Sequence, residues 1–568
     1  MARKRTTTCT SARWSSRSRA ADYQCRSFSA DSGSARPAHS ASTSDWRTRA
    51  TQRASSFVAR SLTPSEAWTL VHPALWPVLA LLTLYAAFYV QFAGALISFP
   101  FDWDQGEGYD AWSAWLIDRG ELPYTNNQTY PYYSSNYPPL WSYLVSVPMA
   151  WLGPGLAPAR AVSTAAGLLA AVVIGLAARR RAKSNLAGLL AGGFFLASPY
   201  VFHTTPLARV NGATLLFSLV GLSLFEVPTR RRVALGTLAL LAALFTKQTA
   251  VDAALACLLS TLLVSPRRAI AAALALAGLG FASLAALSLA TRGAFWLNVV
   301  SGNANPFDAA QLIGYLSNFV SLHGAILALA AVEVVVSVWR RAWSPWVFYF
   351  PTSLALALGV GKWGAGESYF LDAIAAACVL SAAQVARLVQ SGGVGERASG
   401  REPFPASPTL PLSHSLRIWL LGAALLTQGL LLAHGPLMEV FPILRDQGPQ
   451  ASLLGRAPSP ADRSAGEEIV AMIQRVRGPA LVEDPSFAVS AGKPVVGNAT
   501  HLRNLHQAGL WDPTSLVAEL KARRYDIVVL NAQLYPEPVL EAIGRAYYRY
   551  RTVRMNGYIY QVFLPGSE

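Results

Sequence analysis

Charged residues, cysteine and lysine are all scarce in this chain of 568 residues. Only 14% of the residues are charged, whereas a soluble domain usually has about 25%. This shortage excludes a large soluble enzyme, a coiled coil and a disordered scaffold. The four cysteines are scattered, so they provide neither a disulfide framework nor the spacing of a metal site.

Long apolar runs take the place of the missing charge. Hydrophobic residues make up 52% of the chain, and runs near the ~20 residues that cross a bilayer recur along it. We therefore predict a polytopic α-helical membrane protein with about eleven transmembrane helices. The predicted spans are 74–97, 160–178, 186–203, 212–226, 233–246, 249–264, 269–290, 316–338, 345–360, 369–388 and 416–436.

The basic clusters predict the orientation of these spans. All of the clusters fall on one side if the N-terminus is cytoplasmic and residues 123–152 do not cross the membrane. We therefore expect 123–152 to be an interfacial or re-entrant part of a long outer loop, 98–158. This arrangement is that of a multi-pass protein of the cell membrane, with its C-terminal end outside the cytoplasm.

Composition divides the chain into three regions. Residues 1–65 are a basic, Ser/Arg-rich tail that we expect to be disordered, although a transit peptide, a lipid-binding arm or a nucleic-acid arm would have a similar composition. Residues 66–440 form the predicted transmembrane domain. Residues 441–568 are more polar and alternate between helix and strand patterns, which predicts a small extracytoplasmic α/β domain.

Acidic residues are concentrated in the first outer loop. Twelve lie between residues 74 and 388, and half of these lie in Asp102–Glu121. Carboxylates this close resist simultaneous ionisation and suit a general base or a metal ligand. The alternative is a solvated acidic loop whose carboxylates cap a helix.

Several cations fall at the outer ends of predicted spans, against the positive-inside bias. They are Arg209, Lys247 and Lys362. Such cations can bind an anionic lipid phosphate, or they can be anchors at the membrane surface and partners of local acids, as Lys247 would be with Asp252. A carboxylate facing cations can deprotonate an acceptor hydroxyl while the cations stabilise a departing phosphate.

The motifs resemble those of a known family. They are Asp104-x-Gly-Glu107-Gly-Tyr109, Gly120-x-x-Pro-Tyr124, Tyr137-Pro-Pro-Leu140, Ala159-Arg160, Lys247-Gln248 and Gly366-Glu-Ser-Tyr369. Over roughly 74–440 the chain resembles the GT-C membrane glycosyltransferases, which include protein O-mannosyltransferases, bacterial aminoarabinose transferases and lipopolysaccharide-core enzymes.

The resemblance implies a glycosyltransferase that moves a sugar from a polyprenyl-phosphate donor to a glycan, lipid or protein acceptor outside the cytoplasm. Its base would be Asp104 or Glu107, with Asp104 preferred, and the same two residues would hold a divalent cation (Mg²⁺ or Mn²⁺) if one is used. A single base is enough for an inverting transfer. The implied substrate-binding residues are Asp102, Tyr109, Tyr137, Arg209, Lys247, Gln248, Lys362, Glu367 and Tyr369.

Two other classes of function remain open at this point. A flippase or transporter of lipid-linked sugars would also bind polyprenyl phosphate, although the sequence shows no internal repeat. A non-catalytic scaffold would bind a partner through its outer α/β domain. The expected partners of the enzyme are the lipid-linked donor, the acceptor and the bilayer, with no nucleic acid.

Overall fold

The apolar stretches that predict spans are largely helical wherever the structure describes them. The computed structural model describes residues 72–303, 305–390, 413–433 and 456–566, so the predicted N-terminal tail lies outside the described residues. The first seven helices are α1 (Trp76–Ser98), α2 (Glu107–Asp118), α3 (Leu140–Leu152), α4 (Leu156–Ala182), α5 (Asn185–Ala197), α6 (Pro199–Thr204) and α7 (Asn211–Phe225). The next seven are α8 (Arg230–Thr246), α9 (Asp252–Val264), α10 (Pro266–Ala290), α11 (Ala309–Trp339), α12 (Pro345–Ala357), α13 (Leu371–Gln390) and α14 (His414–Leu431).

Among the described residues, five helical segments have both the length and the apolar composition needed to cross a bilayer. They are Pro73–Ser98, Leu156–Ala182, Pro266–Ala290, Ala309–Trp339 and Glu367–Gln390. Five shorter apolar helices accompany them among the described residues. The chain is thus a helical membrane protein, and the number of eleven crossings stays a prediction.

The helix α3 lies in the predicted interfacial segment. Its 13 residues extend for about 20 Å, which is shorter than the hydrocarbon layer. One face is buried through Trp141, Val145 and Met149, whereas Val147 and Trp151 on the other face are exposed. The position of this segment at the membrane surface stays a prediction.

Basic residues at the C-terminal ends of α4 and α13 bind buried or half-buried acids. The buried Glu333 carboxylate accepts hydrogen bonds from Arg181 at 2.9 Å and from Arg387. Arg180 lies 3.6 Å from Glu226. On α4, Arg181 is about 32 Å along the helix axis from Arg160, which is near the start of the helix. The two ends of α4 therefore hold different groups of charges.

Residues 456–566 contain the only sheet among the described residues, four strands in the order β1-β2-β4-β3. Its elements are α15 (Pro460–Arg475), β1 (Ala480–Val482), α16 (Pro485–Ser490), α17 (Ala499–Gln507), α18 (Thr514–Lys521), β2 (Ile527–Leu530), α19 (Glu537–Ala546), β3 (Tyr547–Met555) and β4 (Tyr558–Pro565). The strands β1 and β2 are parallel, and the other two pairings are antiparallel. Ser459 and Asp462 form a capping box that begins α15. We call these residues the C-terminal region.

Candidate functional site

The acidic loop turns into α2 at a glycine that the site requires. Gly106 precedes the helix with a φ of 94°, a conformation that L side chains rarely adopt. A Cβ atom there would also collide with the guanidinium of Arg209. The turn therefore brings the loop directly against Arg209.

Glu107, the second candidate base, is locked inside the protein. Its carboxylate forms a buried ion pair with Arg160, whose Nε and Nη2 donate hydrogen bonds of 2.8 and 2.7 Å. The backbone N–H groups of Trp103 and Ala208 donate to it at 2.8 and 2.7 Å. Burial raises the pKa of Glu107, but Arg160 and these N–H groups outweigh it and hold the pKa below its usual value. Both oxygens are occupied, so Glu107 is an anchor of the loop.

Asp102 and Tyr109, predicted to bind substrate, attach the loop to the C-terminal region. Asp102 accepts hydrogen bonds from the backbone N–H groups of Gly108 at 2.6 Å and Ser486 at 3.1 Å. Burial and the nearby Glu107 raise the pKa of Asp102 to about 6. The Tyr109 hydroxyl accepts a hydrogen bond from the N–H of Ala499 at 3.2 Å. Both side chains are buried, so they hold the site together.

Asp104 differs from Asp102 and Glu107 in that its carboxylate is partly exposed to solvent. Its side chain is 22% exposed, and its Oδ2 lies 3.9 Å from Nε2 of His203. Its Oδ1 accepts a hydrogen bond from the N–H of Gln105 at 2.9 Å. The Gln105 side chain in turn donates to the hydroxyl of Thr500 in the C-terminal region at 2.8 Å. The position of Asp104 is thus fixed from both sides while its carboxylate faces solvent.

The cations Arg209 and Lys247 converge on the same site. Arg209 Nη1 lies 3.7 Å from Asp110 Oδ2. Lys247 Nζ donates to Asn211 Oδ1 at 2.9 Å, and it lies 5.1 Å from the ring centre of Tyr369. Its hydrogen-bond partner is therefore Asn211, while Asp252 is one of its electrostatic neighbours. Burial and the neighbouring Arg209 lower the pKa of Lys247 to about 8, although nearby carboxylates oppose them.

Tyr137 and Tyr369 line this group of charges. Burial raises the pKa of Tyr137 to about 12, with Arg209, Asp110 and Tyr369 as its electrostatic neighbours. The hydroxyl therefore stays protonated at neutral pH and can donate a hydrogen bond. We call Asp104, Asp110, Tyr137, Arg209 and Lys247 the central cluster.

The other predicted residues lie around the central cluster. Gln248 donates to the carbonyls of Asn136 and Val299 at 3.2 and 3.3 Å, so its amide holds two loops together. Glu367 is half-buried, and Tyr315 has both Glu367 and Asp104 as electrostatic neighbours. The ammonium group of Lys362 forms no hydrogen bond or ion pair within the described ranges.

Trp511 and Lys493 of the C-terminal region stabilise the fold. Trp511 is buried, and its Nε1 donates to the Asn127 carbonyl at 2.5 Å. Lys493 donates to the carbonyls of Val476, Arg477 and Gly478 at 2.7–3.1 Å. Neither side chain is free to touch an acceptor.

The residues do not form a divalent-cation site. Within the described part of the chain, no group of three His, Cys, Asp or Glu residues could hold a metal. Glu107 has no oxygen to spare, which leaves Asp104 as a single carboxylate ligand. Mg²⁺ and Mn²⁺ usually require several oxygen ligands, which the predicted pair of Asp104 and Glu107 does not supply.

An apolar groove of about 390 Å³ lies beside the face of α2 that carries Trp112 and Trp115. It is lined by Trp112 and Trp115 of α2, by Leu156 of α4 and by Ser486 and Ser490 of α16. None of the residues of the central cluster lines it, so the groove and the charged site are separate features.

Asp110 and Arg160 have roles that the sequence reasoning did not assign. Arg160 lies within an apolar span, and a charge there needs a partner. Asp110 lies three residues after Glu107, which places both side chains near one another on α2. These two signals were present in the sequence, but neither identified its partner.

The comparisons with known proteins show the fold. No protein-family model and no curated protein matches the chain. Its structure is similar to ArnT from Cupriavidus metallidurans bound to undecaprenyl phosphate, with a TM-score of 0.52, 14% identity, and coverage of 84% of this chain and 97% of that one. The apo ArnT gives the same TM-score with 16% identity and the same coverages. The apo oligosaccharyltransferase of Archaeoglobus fulgidus has a TM-score of 0.49 and 13% identity, and 84% of this chain and 73% of that one are covered. The resemblance to GT-C proteins is thus confirmed at the level of the fold.

Proposed function

We propose that this protein is a membrane glycosyltransferase that transfers a sugar from a polyprenyl-phosphate donor to an acceptor outside the cytoplasm. The observation that carries the proposal is the central cluster, in which the accessible Asp104 is an electrostatic neighbour of Arg209, and Arg209 is a neighbour of Lys247. The similarity of the fold to that of ArnT bound to undecaprenyl phosphate supports this choice of donor. The orientation follows from the basic clusters, which would face the cytoplasm.

The donor phosphate would lie against Arg209 and Lys247. Lys247 uses one of its three N–H groups on Asn211, and Arg209 offers a fork of N–H donors. These donors would stabilise the negative charge that develops on the departing phosphate.

Asp104 would be the general base of an inverting transfer. Its carboxylate takes the proton of an acceptor hydroxyl, whose oxygen then bonds to the anomeric carbon of the sugar. The bond from that carbon to the phosphate oxygen breaks, and polyprenyl phosphate leaves with the electron pair. No covalent intermediate on the protein is needed.

Sugar release from radiolabelled polyprenyl-phosphate sugars by the purified full-length protein tests the proposal. We expect release by the wild type and its loss in Asp104→Asn, since asparagine keeps the shape but cannot accept the proton. Release is expected to persist in EDTA. Transfer by Asp104→Asn at the wild-type rate would contradict the assignment of the base.

The alternative is a flippase for lipid-linked sugars, and the same preparation can test it. Wild-type protein in liposomes that moves the donor across the bilayer without releasing sugar would support the flippase and contradict the transferase. A correctly inserted protein that neither releases nor moves any donor would contradict both functions.

A further inference from the structure

Asp110 is a buried carboxylate with an unfilled hydrogen bond. Its side chain is 7% exposed, and no described residue forms a hydrogen bond with its Oδ2. The nearest cation, Arg209, lies 3.7 Å away, which is too far for a hydrogen bond. An unpaired buried carboxylate oxygen is costly, so a group that fills this position would be stabilising.

The cations beside Asp110 also have unused donors. The guanidinium of Arg209 forms no hydrogen bond within residues 72–303, 305–390, 413–433 and 456–566, and Lys247 forms one. Beside the accessible Asp104, the site therefore holds two cations and the buried Asp110, and all three of these groups have hydrogen-bonding capacity that is not used. Asp110 is the carboxylate within 4 Å of Arg209, whereas Lys247 has Asp372 and then Asp110 as its electrostatic carboxylate neighbours.

Other titratable groups around Asp110 do not replace it in this role. Glu107 is neutralised by Arg160, and Asp102 is held by backbone N–H groups of Gly108 and Ser486. Tyr133 and Tyr137 complete the surroundings, and burial raises the pKa values of both well above neutrality. Asp110 is thus the carboxyl group beside Arg209 whose pKa lies closest to 7, while Lys247 titrates about one pH unit higher.

We propose that Asp110 is a built-in counter-ion of the phosphate-binding cations and takes up one proton when the donor phosphodiester occupies their site. This inference rests on the proposed function. Two anions against the same cations repel each other, and the buried pair relieves the repulsion when one of them is protonated. Once protonated, Asp110 donates its O–H to a phosphate oxygen and fills the vacant hydrogen bond. Burial raises the pKa of Asp110 to about 7, despite the opposing effect of Arg209, so the proton is readily accepted near neutral pH.

The probe for this proposal is the methyl diester of polyprenyl phosphate, which carries one permanent negative charge and does not itself titrate near neutral pH. We would measure its binding to the full-length protein in detergent at pH 7 in a weak buffer that contains a pH indicator. The wild type is expected to take up about 0.5 proton per bound probe from Asp110 and about 0.1 from Lys247. Asp110→Asn, with its fold checked by thermal unfolding, is expected to take up only about 0.1.

The pH dependence of the Kd for the probe gives a second readout. Between pH 6 and pH 8 the Kd of the wild type is expected to rise by roughly tenfold more than that of Asp110→Asn, because the variant has no proton to gain. At pH 8 the variant should therefore bind the probe more tightly than the wild type does.

The outcomes separate this inference from the proposed function. A probe that binds the wild type with proton uptake below about 0.2 overturns the role of Asp110 and leaves the transferase proposal standing. Equal uptake by the wild type and a folded Asp110→Asn does the same. A folded wild type that fails to bind the probe at every pH overturns both proposals.

Discussion

Glu107 and Arg160 form an ion pair in which both side chains are fully buried, with a shortest N–O distance of 2.7 Å. The pair joins the start of α2 to the start of α4, and Arg160 also donates to the carbonyls of Leu96, Phe99 and Phe101. One guanidinium therefore holds the end of α1, the acidic loop and α4 together. The two candidate bases differ sharply as a result, because Glu107 is anchored and Asp104 is accessible.

Replacement of Glu107 should affect stability more than chemistry. Loss of one partner from a buried pair costs about 3–5 kcal/mol, so we expect Glu107→Gln to lower the thermal unfolding temperature in detergent. Asp104→Asn is the matched comparison and should unfold near the wild-type temperature. A Glu107→Gln protein that is as stable as the wild type but inactive would instead identify Glu107 as the base.

Gly106→Ala should disable the site through Arg209. A left-handed conformation costs a non-glycine residue about 1–3 kcal/mol, and the new Cβ would also displace the Arg209 guanidinium. We expect a raised KM for the donor. Gly120→Ala is the control, because its φ is 79° but nothing lies within 4 Å of the added Cβ. Equal KM values for the two variants would show that the contact with Arg209 does not matter.

Lys247 should make donor binding sensitive to alkaline pH. Its pKa of about 8 means that the charge that binds phosphate is present below pH 8 and is lost above it. Between pH 8 and pH 9.5 the donor KM of the wild type should rise roughly tenfold more than that of Lys247→Arg, which stays charged. Lys247→Met should bind the donor poorly at every pH. Parallel pH profiles for wild type and Lys247→Arg would exclude Lys247 from donor binding.

Gln105 and Thr500 should be coupled in catalysis. Their hydrogen bond of 2.8 Å connects the residue after Asp104 to α17. We expect Gln105→Ala and Thr500→Val each to lower kcat severalfold, and the double variant to lose little more than either single one. This double-mutant cycle would give a coupling free energy near 1 kcal/mol between the two side chains. Strictly additive losses would mean that the contact does not orient Asp104.

The scarcity of charged residues is the reason why the sequence predicts both the helical segments and several members of the central cluster. In a chain with few charges, each apolar run is a clear signal, and so is each charge that interrupts one. Asp104, Arg209 and Lys247 could therefore be selected without knowledge of their contacts. The strands Ala480–Val482 and Ile527–Leu530 lie in the region whose pattern alternates between helix and strand.

The division of roles among the acids could not be read from the sequence. Asp102, Glu107 and Asp110 are the same kind of side chain within nine residues, and only their partners distinguish them. Those partners are Ser486, Arg160 and Arg209, which are far away along the chain. A local pattern has no information about such contacts.

The loop that carries Asp104 depends on parts of the chain that are translated long after it. Ser486 and Thr500 bond to the loop, and Asn556 donates to the Asp102 carbonyl at 3.0 Å. A nascent chain that has inserted all of its helices still lacks these supports. The arrangement around Asp104 would then be complete only after translation has passed Asn556.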